Sequence, residues 1–306
     1  MHVMKNIRVT MKDVAKEAGV STATVSYVLN YSNTERISHE TRMRVFEAVN
    51  KLKYVPNMTA KSLASKRSFL VAIIINMEEN NKRSKLYQYF DLASEIQKRL
   101  NLMGYDAIFL PTKKITHDIV MSRQRSLDAV FIMDMKEELL KEITNQFFVP
   151  VIFIDGFIGD PIFCKILTEW DAVFKRATEQ LGENFYVVME DYANKSLWRN
   201  VTKRISEEDV FINCQGNNLA EFLHMHKDGK GLIIGEELGM QAEHYVDNRN
   251  ISVVVHHDQN LMLLPDTKVI VVSNKEKAEA AVRVMKELLD LEQVTQIQNI
   301  TYIGVR

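Results

Sequence analysis

The chain has 306 residues, 46% of them hydrophobic and 26% charged, and a net charge of −1. That length suits two or three domains of an ordinary globular protein, and no apolar run is long enough to cross a bilayer. Cys164 and Cys214 lie far apart without CxxC or zinc spacing, which excludes a metal finger and fits a reducing compartment.

The charge is unevenly spread. Residues 1–67 hold 12 Lys and Arg against 5 Asp and Glu, net +7, whereas the remainder holds 27 against 35, net −8; the two sum to −1. A basic head on an acidic body points to a polyanionic partner. The opening "MHVMKNIRVT" lacks the apolar core of a signal peptide, so a cytoplasmic protein is expected. No amphipathic face supports a membrane partner.

Apolar positions Met11, Val14, Ala15 and Ala18 share one face of a helix from about Lys12 to Ala18. Gly19 supplies the left-handed geometry of a tight turn, Val20 plugs into the core, and Ser21 caps a second helix from about Thr22 to Leu29. This is helix-turn-helix spacing. A third helix after Ser38 is expected to bury Met43, Val45, Phe46, Val49 and Leu52. The second helix opens with short polar and methyl groups that let it enter a major groove. Pro56 ends the head, and Asn57 can start a short, basic, Leu63-bearing stretch that reads either as a flexible interdomain linker or as a helix that folds over a minor groove.

From Phe69 the texture changes to apolar, β-branched runs: "FLVAIIIN", "DAIFLP", "LDAVFIM", "VPVIFID", "NFYVVME", "DVFINC", "KGLIIG", "ISVVV" and "KVIVVSN". Most are separated by helix-length segments, among them "YQYFDLASEIQKRLNLMGY", as in a doubly wound parallel sheet. Catalytic signatures are missing. "GKGLIIG" places its first glycines before a strand, not after one, and "HMH" (224–226) and "HHD" (256–258) lack zinc-ligand spacing. No enzyme, no metal and no cofactor is expected.

On the motifs "DVAKEAGVSTATVSYVLN", "ISHETRMRVFEAVNKLKYVPN" and "AKSLASKRS", residues 9–67 resemble the DNA-binding head and hinge of the LacI/GalR family of bacterial transcription regulators. The resemblance implies base reading by Thr22, Ala23 and Tyr27. It implies DNA-backbone contacts by Ser21, Thr24, Ser26, Asn30 and Tyr54, and hinge contacts by Asn57, Ala60, Lys61 and an inserted Leu63. Many members carry arginine where this chain has Tyr27, whose hydroxyl makes one good hydrogen bond in place of a bidentate pair.

The resemblance further implies an N-terminal all-α three-helix head (8–56), a hinge (57–68), and an α/β body (69–306) of two doubly wound parallel-sheet lobes like a periplasmic binding protein. The first lobe is expected over about 69–157 and 269–292, the second over about 158–268 and 297–306. Effector contacts are expected at Asn76, Tyr89, Phe90, Asp155, Glu169, Trp170, Arg199, Glu236, Glu237, His257 and Asp258. These depart from the family's usual set, and their carboxylates suggest a sugar-like or cationic ligand. The implied function is a homodimeric repressor on near-palindromic double-stranded operator DNA, in the bacterial cytoplasm and on the nucleoid. Two alternatives stand beside it: a cytoplasmic small-molecule-binding protein, and a ligand-independent DNA-binding protein with a degenerate cleft.

Overall fold

Helix α1 (Met11–Ala18) starts because the Asp13 carboxylate accepts both the amide and the hydroxyl of Thr10, at 2.8 and 2.7 Å. It stops at Gly19, whose φ of 64° lets the Val20 amide turn back to the Ala15 carbonyl. The Ser21 hydroxyl accepts the Thr24 amide at 3.0 Å and starts α2 (Thr22–Leu29); Ser38 does the same for α3 (His39–Leu52) through Thr41. Val14, Ala15, Ala18, Val25, Val28, Val45, Ala48 and Tyr54 form one buried core. Met43, expected inside, is exposed. It lies two residues before Val45, about 200° around the helix, on the face opposite the core.

The computed structural model describes residues 9–29, 37–54, 67–112, 127–139, 149–257, 259, 261–290 and 299–306. The chain divides after Arg67 into two units. Asn30, Asn57, Ala60, Lys61, Leu63 and Asp258 lie outside the described residues.

The second unit begins with β1 (Leu70–Asn76), α4 (Arg83–Leu102), β2 (Asp106–Thr112), β3 (Ala129–Met133), β4 (Val151–Ile154) and β5 (Cys164–Thr168). It continues through α5 (Trp170–Leu181), β6 (Tyr186–Glu190), α6 (Ser196–Thr202), β7 (Val210–Asn213), α7 (Leu219–Met225), β8 (Gly231–Ile234) and α8 (Glu236–Ala242). Strands β9 (Ile251–Val255) and β10 (Lys268–Val271), helix α9 (Asn274–Leu289) and β11 (Ile300–Ile303) complete it. Two parallel sheets result, in the orders β11-β5-β4-β3-β1-β2 and β10-β9-β8-β6-β7. Strands buried on both faces need a mainly apolar run, and β1 up to Asn76, β3, β4 and, apart from Ser252, β9 supply it.

The lobe limits need correction. Strand β5 pairs with β4 (Ile152↔Cys164) and β11 with β5 (Ile300↔Lys165), so 164–168 and 300–303 belong to the first sheet, not to the second lobe. Strand β10 pairs with β9, so 268–271 belongs wholly to the second sheet. Lys165 hides β5 from pattern reading. Its side chain is buried, and its ammonium donates to the Asp160 carbonyl at 2.6 Å, which lets a charged residue occupy an interior strand. Helix α4 also starts one turn earlier than its apolar spacing suggests, and that extra turn borders the space between the sheets.

In the second sheet Tyr186 and Gly231 are register partners on adjacent strands, and the tyrosine ring lies over the glycine. A Cβ at Gly231 would stand 2.2 Å from the ring. Phe222 and His226 pack on the same ring at centroid distances of 5.7 and 5.2 Å, so it has no easy retreat. Gly231→Ala is therefore expected to destabilise the body by about 1–3 kcal/mol through overpacking, read as a lower urea midpoint with unchanged slope.

Candidate nucleic-acid interface and interlobe cavity

In the head, burying Val25 and Val28 turns the opposite side of α2 outward. Ser21, Thr22, Ala23 and Tyr27 are exposed there, and Thr24 and Ser26 are half-buried. Five of these six are small, which lets the helix lie close to a groove floor, and Tyr27 is the one long side chain among them. Tyr54, expected on the DNA backbone, is buried against the three-helix core. No acidic residue occupies the first turn of α2, which leaves its positive N-terminal end open to phosphate.

In the body the sheets end on either side of a cavity of about 510 Å³. Its walls include Tyr89, Asp155, Glu169, Trp170 and Arg199, five of the expected effector contacts. They also include Gln88, Thr168, Tyr192, Lys203, His256 and Lys277, which sequence reasoning did not find. Strand β4 ends at Ile154, and Asp155 follows it in left-handed geometry (φ 53°), a conformation aspartate tolerates better than most residues. That twist points its carboxylate at the Thr168 hydroxyl (3.0 Å) and the buried Lys277 ammonium (2.6 Å). Lys277 was legible in principle: Ala278, Ala281, Val284 and Met285 place it on the buried face of α9.

Five expected contacts lie away from the cavity and are corrected. Asn76 is buried at the end of β1, and its amide nitrogen lacks a hydrogen-bond partner among the described residues. Phe90 faces outward, edge-on to Phe109. Glu236 accepts the Met262 amide at 2.6 Å, and Glu237, one position along α8, is half-buried outside the lining. His257 pairs with Asp91 at 2.8 Å, while its neighbour His256 faces the cavity. One step along the chain at a strand end changes which side a side chain takes.

A hydrogen-bond chain crosses between the lobes. The Val272 carbonyl only accepts, so His256 Nδ1 carries the proton towards it at 3.2 Å. His256 Nε2 then accepts from the Gln88 amide (3.2 Å), and Gln88 Oε1 accepts the Tyr192 hydroxyl (2.9 Å). Burial first, and Lys277 second, push the His256 imidazole down to about 4, so it is neutral as this chain requires. Nearby, Lys85 and Asp134 are fully buried and 2.5 Å apart. Asp134 also accepts the amides of Ala193 and Asn194, and Lys85 donates to the carbonyl of Asp191. The start of α4 is thus bonded directly to the loops of the second sheet.

Residues 10–57 match the family described as bacterial regulatory proteins, lacI family. The chain is also 32% identical over 210 residues to catabolite control protein A of Staphylococcus xylosus, a match covering 67% of this chain and 59% of that protein. The head of the chain is a LacI-family helix-turn-helix domain. A second LacI-type relative, the HTH-type transcriptional repressor PurR of Aliivibrio salmonicida, is 28% identical over 181 residues, covering 57% of this chain and 52% of its own length. The match thus spans little more than half of either relative. The LacI-type fold is shared with a Lac repressor dimer bound to operator and the anti-inducer ONPF: TM-score 0.65, 17% identity, 97% of both chains. No helix among the described residues is long and apolar enough to cross a membrane.

Proposed function

We propose that this chain is a sequence-specific DNA-binding transcription regulator, a repressor that binds a near-palindromic operator as a homodimer under the control of a small molecule between its lobes. The observation that carries the reading is the capped helix-turn-helix with its exposed Ser21–Tyr27 face, in the segment that matches the family. Each head lays α2 in a major groove, and the hinge segments meet over the central minor groove. The net charge of +7 on residues 1–67 supplies phosphate affinity, and Thr22, Ala23 and Tyr27 read bases. The protein works in the bacterial cytoplasm, on the nucleoid. An effector acts by binding the DNA-competent and incompetent states unequally.

The cavity of about 510 Å³ favours effector control over a degenerate cleft, because it is large enough for a small metabolite and lined by both polar and apolar groups. Gel-shift competition tests the DNA reading. Operator DNA is expected to outcompete random duplex by roughly a thousandfold, with affinity falling steeply as salt rises; equal competition contradicts it. Tyr27→Ala is expected to change base preference at one symmetric position per half-site, seen in the binding-site profile.

A further inference from the structure

The second unit begins at Ser68, and one carboxylate holds its first two residues. Asp128, immediately before β3, accepts the Ser68 amide at 2.8 Å, the Ser68 hydroxyl at 2.9 Å and the Phe69 amide at 2.9 Å. The Ser68 hydroxyl in turn accepts the Leu70 amide at 3.2 Å. The carbonyls are occupied as well: Phe69 accepts the Asp106 amide and Leu70 the Asp128 amide, both at 2.8 Å. Phe69 has a φ of 57°, in the left-handed region where a bulky side chain is strained. Such a conformation persists only where its surroundings over-determine it. Here they do, since its amide and carbonyl are both bonded and its ring packs on the buried Tyr105 at a centroid distance of 5.4 Å. The sheet does not require the bend, because β1 joins β2 at Leu70 and β3 at Val71. What the bend sets is the direction in which the chain leaves the sheet.

From this arrangement, and resting on the reading of the chain as an operator-binding dimer, we propose that Asp128 is a positioning residue for operator recognition. It fixes the place and direction from which each hinge segment leaves the body, and it acts through the backbone it holds, not by contact with DNA. Two heads read one operator together only when both hinges start from defined points. A free joint at Ser68 and Phe69 enlarges the set of head positions that must be given up on the operator, which costs about tenfold in affinity per residue freed. Random duplex does not need the two heads in register, so its affinity stays as the head's charge sets it. A carboxylate suits this task because it only accepts and has room for three donors. Asparagine keeps the shape but turns an NH2 group towards one of them.

The test uses the full chain and two fluorescent duplexes, one carrying the motif that the wild type enriches from a randomised pool and one a scrambled sequence of equal length. Asp128→Asn is expected to lose about tenfold or more in affinity for the enriched duplex. On the scrambled duplex the loss stays below about twofold and the salt slope is unchanged. Hydrogen exchange at the Ser68 and Phe69 amides rises in the same variant, while sedimentation shows the same dimer and the body melts within a few degrees of wild type. Ser68→Ala removes the hydroxyl and keeps both amide bonds to Asp128, so a smaller loss of about threefold is expected, again only on the enriched duplex. It decides the case if Asp128→Asn alters the dimer or the melting. A loss shared equally by both duplexes, or an undiminished preference for the enriched one, overturns the proposal and leaves the DNA reading standing. A wild type that enriches no motif overturns the DNA reading, and this proposal with it.

Discussion

Asp134→Asn is expected to destabilise the body by about 3–5 kcal/mol, the usual result of removing one member of a buried ion pair. Asparagine keeps the volume and tolerates the left-handed backbone at this position (φ 54°), so the loss reports on the charge, and on the one amide of Ala193 or Asn194 that then faces an NH2 group, and not on strain. Lys85 is left as a fully buried ammonium with only the Asn81 side-chain oxygen and the Asp191 carbonyl to accept from it. Lys85→Met costs less, because Asp134 keeps the amides of Ala193 and Asn194, and its carboxyl, already raised by burial against the pull of Lys85, takes up a proton. The double variant Lys85→Met/Asp134→Asn is expected to lie closer to wild type than Asp134→Asn alone. Urea unfolding of the three variants measures this. A double variant as unstable as the sum of the singles shows that the pair is not coupled.

Glu190→Gln is expected to stabilise the body at pH 8 by up to about 3 kcal/mol and to leave it nearly unchanged at pH 4. Glu190 ends β6, almost fully buried, and burial pushes its carboxyl up to about 7, opposed by hydrogen bonds from Ser84 and Asn213 and by Lys85, and assisted by Glu237. Unfolded, the same carboxyl titrates near 4.3. Between those two values the folded state holds the proton and the unfolded state has released it, so stability declines as pH rises through the window. Glutamine removes that contribution while keeping an oxygen for the Asn213 amide, which donates to Glu190 at 3.1 Å. The check is the difference between wild-type and variant unfolding free energies from pH 4 to 8. A difference that stays constant across the range contradicts the raised carboxyl.

Chain elements held in place by one kind of interaction were legible in the sequence. The head is an example: Gly19, Ser21 and Ser38 act within a few residues of themselves, so spacing alone revealed the turn and the starts of the second and third helices, whereas the Thr10 cap of the first was not read. The strands β1, β3, β4, β6 and β9 were equally plain, because burial on both faces leaves a run made mostly of apolar, often β-branched residues. Strand β5 was not, since Lys165 breaks its run and is tolerated only because Asp160 turns its carbonyl inward. Strand β11 was misplaced because parallel pairing joins it to a segment more than a hundred residues earlier.

The cavity was half legible. Asp155, Glu169 and Trp170 end strands or begin a helix on one sheet edge, where parallel α/β folds collect ligands. Lys277 and His256 reach the same space from other parts of the chain, and nothing local marks their convergence. The charge of the site followed from that convergence. Glutamates were visible in the sequence, but which of them had partners elsewhere was a property of the folded chain.

Selection from a randomised duplex pool by the full-length protein tests the central claim, that the face from Ser21 to Tyr27 reads DNA in pairs. The expected result is enrichment of one near-palindromic motif with two equivalent half-sites. A final pool as random as the first contradicts it.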